Sequence, residues 1–96
     1  MALGIAIIEG LSMVPTYAPG ERVIVRYGSS FGVGDVVLIA FHDRIDVKRI
    51  SKIENGLVTI IGDNEAVSID SRKYGPVQNS QIVAKVIFRL PKWLVR

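Results

Sequence analysis

Short apolar runs, separated by turns rich in glycine and proline, are the main pattern along this chain. A strand buried on both faces has a continuous apolar run, and a half-exposed strand alternates apolar and polar residues. The Asn55-Gly56 pair between two such runs favours a hairpin. We therefore predict no helix and the following strands: Leu3–Ile8, Glu21–Tyr27, Asp35–His42, Ile45–Ile53, Leu57–Ile61 and Gln81–Leu90.

Short strands joined by tight turns at this spacing are typical of a twisted barrel or sandwich. Valine and isoleucine are prominent among the apolar residues, which also favours strands over helices. A chain of 96 residues is of the size of one small domain, so we predict an all-β fold in a single domain, residues 1–96.

Composition narrows the classes of function. The net charge of +3 comes from scattered residues, and a nucleic-acid partner would favour a basic patch, so we expect no nucleic acid. The chain has no cysteine and one histidine, His42, which excludes thiolate chemistry and leaves too few ligands for a histidine- or cysteine-based metal site. We expect no metal and no cofactor.

The longest apolar run, Val36–Phe41, is far shorter than the roughly 20 residues of a membrane span, so we expect no transmembrane segment.

Ser12 is the first candidate for chemistry. It lies in the turn Gly10–Thr16, directly after the first apolar run. A serine in such a turn commonly bonds only to nearby backbone, and a nucleophile is the alternative. There is no Gly-x-Ser-x-Gly elbow, so an α/β-hydrolase site is excluded.

Lys48 is the second candidate, because it lies within a predicted strand. Strand alternation would place Asp46, Lys48, Ile50 and Lys52 on one face. Lys48 is then either a solvated residue paired with Asp46 or a buried amine. An unperturbed lysine has a pKa of about 10.4, and using it as a base near pH 7 would cost about 4–5 kcal/mol of barrier. Burial lowers that pKa and would let Lys48 take a proton from a serine hydroxyl.

The segment Gly62–Gly75 is dense in turn-forming and hydrogen-bonding side chains. Its residues could form an ordinary surface loop held by Asx and Ser turns. A connection of this length is unusual in so small a domain, however, and long loops are often functional.

Together these stretches resemble the type I signal peptidase family of serine–lysine proteases. The family's serine turn corresponds to Ser12-Met13-Val14-Pro15-Thr16, its glycine-aspartate strand to Gly34-Asp35-Val36-Val37, and its lysine motif to Lys48-Arg49. Its last motif corresponds to Gly62-Asp63-Asn64, then Ser68 with Asp70-Ser71-Arg72, then Gly75 with Val77. Four motifs in order over residues 8–90 make the resemblance specific.

The resemblance implies small coiled antiparallel sheets that form a partly open barrel, as in the catalytic core of signal peptidases and repressor proteases. It implies Ser12 as nucleophile and Lys48 as general base, with Ser68 orienting the lysine amine. The backbone N–H of Ser12 would form part of the oxyanion hole, which needs donors aimed at the developing charge.

The resemblance also implies supporting residues. Asp70 would pair with Arg72, and also with Arg49, to brace the site. Gly10 lies where some family members place a hydroxyl residue that completes the oxyanion hole and where others have glycine, so the second oxyanion donor stays unidentified.

The implied activity is an endopeptidase that removes an N-terminal signal or propeptide from a precursor, bound as an extended strand on a sheet edge. Family members carry membrane anchors, whereas this chain resembles the smaller, unanchored proteases that mature nickel-type superoxide dismutase. We therefore expect a cytoplasmic protein, or a membrane-associated one if an anchor was removed or a partner supplies it. The tail of Phe88, Leu90, Trp93 and Leu94 with Arg89, Lys92 and Arg96 either contacts a membrane surface or packs under the barrel.

Two other functions stay open at the level of sequence. The first is a self-cleaving serine–lysine core of the repressor type, although those proteins usually lack the Gly62–Arg72 motif and carry a preceding DNA-binding domain, which we do not find here. The second is a non-enzymatic β-barrel binding module.

Overall fold

In the part of the chain that the structure describes, seven strands form one antiparallel sheet, which curves into a half-barrel. The computed structural model describes residues 2–28 and 30–94. The strands are β1 Leu3–Ile7, β2 Arg22–Tyr27, β3 Val36–Ala40, β4 Ile45–Glu54, β5 Leu57–Ile61, β6 Val77–Gln78 and β7 Ile82–Arg89, and their order in the sheet is β1-β2-β7-β3-β4-β5-β6. This architecture confirms the predicted all-β, partly open barrel.

The core lies on both faces of the central strand β3. Val37 and Ile39 pack into one cluster of buried side chains, and Leu38 between them packs into a second. Burial on both faces explains why the sequence of β3 is a continuous apolar run. Ile50 of β4 belongs to the first cluster, and Ile8, just after β1, belongs to the second.

Each predicted strand is present with its ends shifted by no more than a few residues, but the prediction of no helix was wrong. A single helical turn, α1 Ser71–Tyr74, follows Asp70, whose side chain accepts a hydrogen bond from Arg72 N at 3.1 Å and caps the turn. Gly75, with φ of +87°, ends it. Strand β6 was also missed, because two residues are too few to show a period. Two 3₁₀ turns lie at Asn79–Gln81 and Lys92–Leu94.

Strand β4 changes partner along its length. Ile45–Arg49 pair with β3, whereas pairing with β5 begins only at Arg49. A bulge follows Ile50, and Lys52 then pairs with Thr59 while Ile50 pairs with Ile60. The bulge shifts the alternation, so Lys52 does not share the face of Lys48 as predicted.

Two backbone edges are therefore free of ladder partners within the described residues. Strand β1 pairs with β2 on one side only, and the segment 45–48 of β4 pairs with β3 on one side only. Both edges border the candidate site described below.

The C-terminal tail does not pack under the barrel. Phe88, Trp93 and Leu94 are 55%, 72% and 55% exposed. The predicted contribution of Arg96 to this tail lies outside the described residues. No helix in ranges 2–28 and 30–94 is long and apolar enough to cross a bilayer.

Candidate active site

The Ser12 turn is fixed to the core on both sides. Ile8 before it and Met13 after it are each 1% exposed. Gly10 takes a φ of +73°, a conformation that glycine adopts at little cost, and lets the chain reverse between β1 and Ser12. Ser12 itself is half-buried, between the two buried residues that hold the turn.

The sequence left open whether Lys48 is solvated or buried, and the structure shows that it is buried. Its residue is 4% exposed, and its Nζ donates to Ser68 Oγ at 3.1 Å. Burial lowers the pKa of Lys48, and the nearby charges of Asp46 and Asp70 act in the opposite direction. Among residues 2–28 and 30–94 no hydrogen bond joins Lys48 Nζ to Ser12 Oγ, so that direct contact stays a prediction.

Ser68 links Lys48 to the buried carboxylate of Asp70 through two hydrogen bonds. Ser68 Oγ donates to Asp70 Oδ2 at 2.6 Å, and the Gly62 N–H donates to the same oxygen at 2.7 Å. Asp70 is fully buried. Burial alone would raise the pKa of Asp70, but hydrogen bonds from Arg72, Ser68 and the Gly62 N–H outweigh it and hold that pKa well below its usual range. Asp70 is therefore a fixed negative charge.

The two arginines of the predicted site have different partners. Arg72 donates to Asp70 through Nε at 3.0 Å and Nη2 at 2.6 Å, as the resemblance implied. Arg49 does not pair with Asp70. It forms a two-pronged pair with Asp63, Nε to Oδ1 at 2.9 Å and Nη2 to Oδ2 at 2.8 Å. Asp63 also accepts a hydrogen bond from Thr16 Oγ1, so it links the lysine strand to the end of the Ser12 turn.

Gly62 lies against both the Ser12 turn and Ser68. A Cβ atom at this position would lie 2.1 Å from Ser68 Oγ and 2.7 Å from the carbonyl oxygen of Ser12. The absence of a side chain thus lets the two segments converge. Asn64, two residues after Gly62, hydrogen-bonds to the backbone of Leu11 and Ser12.

Two cavities open beside Ser12 and Lys48, and both residues line each of them. The first, of about 370 Å³, lies against the end of β1 and is lined by Ile7, Ile8, Glu9, Ser12, Met13 and the segment Arg44–Lys48. The second, of about 650 Å³, is lined by Gly10, Leu11, Ser12, Arg44, Asp46, Lys48, Val67 and Ile69. The second cavity includes Gly10, which has no side-chain donor to offer.

The structure thus brings Ser12, Lys48, Ser68, Asp70 and Arg72 into one neighbourhood, with Arg49 bracing it through Asp63. Sequence reasoning missed Thr16, Gly62, Asp63 and Asn64 as site residues. All four lie within the motifs that carry the family resemblance, so the sequence pointed to them. Their roles were missed because each one contacts a segment that is distant in the sequence.

Comparison with known families identifies the kind of protein to which the chain is similar. A family model described as Peptidase S24-like matches residues 2–87. The chain belongs to the peptidase S24-like family. Mitochondrial inner membrane protease subunit 1 of Schizosaccharomyces pombe (strain 972 / ATCC 24843) is 33% identical to this S24-like chain over 116 aligned positions, which cover 90% of the chain and 74% of that protein.

Family and relative together support a peptidase of the S24 and signal peptidase kind. Within the described part of this S24-like peptidase, no group of three or more His, Asp and Glu side chains is placed to hold a metal ion.

Proposed function

We propose that this S24-like peptidase is a serine endopeptidase with Ser12 as nucleophile and Lys48 as general base. The observation that carries the proposal is the environment of Lys48: the residue is buried, its amine donates to Ser68, and it lines the same two cavities as Ser12. Burying a lone ammonium is costly, so a buried lysine in a cleft is a candidate for acid–base work.

The Lys48 pKa is lowered chiefly by burial, which raises the fraction of neutral amine available near pH 7. Neutral Lys48 has one lone pair and two N–H bonds. Directing one N–H at Ser68 limits the rotation of the amine, so its lone pair can be held toward Ser12. A small rotation of the Ser12 side chain would then complete the dyad.

The reaction divides into two halves. Ser12 Oγ forms a bond to the scissile carbonyl carbon as Lys48 Nζ takes the hydroxyl proton, and the carbonyl π electrons move to the oxygen. The tetrahedral adduct collapses, the C–N bond breaks, and the Lys48 ammonium returns its proton to the leaving amine. Water then attacks the acyl-enzyme carbonyl as Lys48 takes one of its protons. The ester C–Oγ bond breaks, Lys48 returns the proton to Ser12 Oγ, and the carboxylic acid leaves.

The Ser12 N–H is a candidate oxyanion donor. Among the described residues it makes no hydrogen bond, and it belongs to the nucleophile's own turn. A donor that is free before substrate arrives needs no reorganisation when charge develops.

The free backbone edges suggest how a peptide substrate binds. The unpaired edge of β1 and the unpaired segment 45–48 of β4 border the first cavity. An extended peptide placed there could form ladder hydrogen bonds with one or both edges and put its carbonyl beside Ser12. A preference for small residues beside the cleaved bond is implied by the family resemblance alone.

For the substrate, we propose the N-terminal signal or propeptide of a precursor protein. The similarity to a mitochondrial inner membrane protease subunit supports processing of this kind. The resemblance to nickel-type superoxide dismutase maturation proteases suggests the propeptide junction of that dismutase as one substrate to test. Signal-peptide junctions of the Ala-x-Ala type are the second class of substrate in the comparison.

The test compares cleavage of these peptides by the wild type, Ser12→Ala and Lys48→Ala, with Ser80→Ala and Lys52→Ala as exposed controls. We expect cleavage by the wild type and both controls and none by the two site variants. The rate should rise with pH as Lys48 loses its proton. Equal cleavage by all variants, or a flat rate between pH 5 and 9, would contradict the proposal. Shortening of the chain itself at raised pH would instead favour the repressor-like alternative.

We further propose that the β1 outer face contacts an anionic lipid surface. We define this face as Leu3, Ile5, Ile24, Arg26 and Phe88. Ile5 is cross-strand from Ile24, and Ile24 from Phe88, while Leu3 is cross-strand from Arg26. Leu3, Ile5 and Phe88 are each more than half exposed. Apolar side chains beside a cation suit the boundary of an anionic bilayer.

Flotation with vesicles of phosphatidylcholine and phosphatidylglycerol tests this contact. Wild type should float with anionic vesicles and less well at high salt, Ile5→Glu should not float, and Ile53→Glu on β4 should behave as wild type. Failure of the wild type to float would overturn the contact and leave the peptidase proposal intact.

A further inference from the structure

Asn64 connects the Ser12 turn to the segment that carries Ser68. Its side-chain Nδ2 donates to the Leu11 carbonyl at 3.0 Å, and its backbone N–H donates to the Ser12 carbonyl at 2.8 Å. Its own carbonyl accepts from the N–H groups of Val67 at 3.2 Å and Ser68 at 3.0 Å. One residue thus holds the backbone on both sides of Ser12 and the segment that carries Ser68.

The side-chain bond has a specific geometrical consequence. The Leu11 carbonyl and the Ser12 N–H belong to the same planar peptide unit, in which C=O and N–H point in opposite directions. A donor that fixes the direction of the Leu11 carbonyl therefore also fixes the direction of the Ser12 N–H. The Asn64 backbone bond fixes the following peptide unit in the same manner.

The Leu11 carbonyl has two donors, the Asn64 side chain at 3.0 Å and, within the turn itself, the Val14 N–H at 3.2 Å. Gly10, immediately before Leu11, has a φ of +73° and no Cβ to restrict the backbone. Leu11 is 55% exposed and offers little packing. The buried Met13 anchors the turn only on the far side of Ser12. The Asn64 side chain is thus the donor from outside the turn that fixes the Leu11–Ser12 peptide, and it is closer to the Leu11 carbonyl than the Val14 N–H.

We propose that Asn64 is a positioning residue that aims the Ser12 N–H at the developing oxyanion. This inference rests on the proposed function, because it takes Ser12 as nucleophile and its N–H as oxyanion donor. Asn64 need not touch substrate, and its effect is exerted through the Leu11–Ser12 peptide.

Asn64→Leu and Asn64→Asp test the proposal. Both are close to asparagine in size, and both remove the Nδ2 donor while leaving the backbone N–H in place. In Asn64→Asp a carboxylate would also face the Leu11 carbonyl and repel it. Asn79→Asp is the matched control, because Asn79 is exposed and its contact with Gly56 uses only its backbone N–H.

Removing a whole oxyanion donor costs about 10²–10³ in kcat, so misdirecting one should cost about 10- to 100-fold. We expect that fall in kcat for both Asn64 variants, with KM within about two-fold because the ground-state carbonyl makes little use of the donor. A peptide aldehyde, which forms a tetrahedral adduct at the serine, should bind more weakly by the same factor. The product peptide should bind equally well to wild type and variants.

The outcomes separate the two proposals. If the wild type cleaves and Ser12→Ala does not, but the folded Asn64 variants keep wild-type kcat, the positioning role is overturned and the proposed function stands. If the Asn64 variants lose affinity for the aldehyde and the product equally, the site has collapsed, and the positioning role is overturned as well. If the wild type cleaves no precursor peptide, binding measurements still decide whether Asn64 orients the turn. A loss of affinity in the Asn64 variants for the peptide aldehyde, but not for the product peptide, would support that role.

Discussion

The hydroxyl proton of Ser68 is committed to Asp70, across 2.6 Å between Oγ and Oδ2. Ser68 Oγ can therefore offer only lone pairs to Lys48 Nζ, which donates to it at 3.1 Å. Asp70 stays charged because Arg72 and the Gly62 N–H also donate to it. The buried carboxylate thus sets the direction of the hydrogen bond that orients the lysine.

Ser68→Ala should lower kcat by about 10- to 100-fold, within the range of general-base contributions, because Lys48 loses the acceptor that restricts its amine. KM should change by less than about two-fold, since Ser68 does not line either cavity. Steady-state kinetics from pH 6 to 10 would measure both, with Ser80→Ala as control. A residual rate that still rises with pH would show that Lys48 remains the base; an unchanged kcat would refute the orienting role.

Lys48→Met should stabilise the fold, by about 1–2 kcal/mol near neutral pH, because an apolar side chain replaces a buried ammonium. The folded-state pKa of Lys48 lies below its unfolded value. At low pH the folded protein must therefore bury the charge and carries the whole cost. As pH rises through the folded pKa, that cost falls, and the stability advantage of the Lys48→Met variant shrinks toward pH 10.

Urea unfolding of wild type and Lys48→Met from pH 5 to 10 would check this sign. Lys52→Met, at a side chain 62% exposed, should change stability by no more than about 0.5 kcal/mol. A Lys48→Met protein less stable than wild type at every pH would contradict the argument.

Gly62→Ala should damage both stability and activity. The new methyl would lie 2.1 Å from Ser68 Oγ and 2.7 Å from the Ser12 carbonyl oxygen, so both segments would have to move. Overpacking of this kind costs about 1–3 kcal/mol, and we expect kcat to fall at least about ten-fold. Thermal unfolding and cleavage assays should show both losses, whereas Gly32→Ala, with nothing within 4 Å, should show neither.

Arg49 and Asp63 should be strongly coupled. Their two hydrogen bonds, 2.9 and 2.8 Å long, join β4 to the turn that contacts Ser12. A double-mutant cycle of Arg49→Met and Asp63→Asn should give a coupling free energy of about 1–3 kcal/mol. The same cycle on the exposed pair Lys52–Glu54 should give less than about 1 kcal/mol. A coupling at Arg49–Asp63 no larger than at Lys52–Glu54 would remove the bracing role.

Local pattern was sufficient for six of the seven strands in the described residues. The continuous run in β3, the Asn55-Gly56 hairpin and the position of Ser12 in a turn each depend on residues close in sequence. The short helix Ser71–Tyr74 was missed because a single turn has no period to detect, and its cap is made by the buried Asp70. The bulge that moves Lys52 to the other face was missed because it is set by pairing with β5.

The sequence by itself determined that this is an all-β chain with a serine turn, a strand lysine and a serine–aspartate–arginine loop, because these features are local in the chain. Only the tertiary structure decided that Lys48 is buried and not solvated, that Arg49 pairs with Asp63, and that Asn64 holds the backbone of Ser12. Burial and hydrogen-bond direction depend on which distant segments meet in space, and curvature of the sheet brings those segments together.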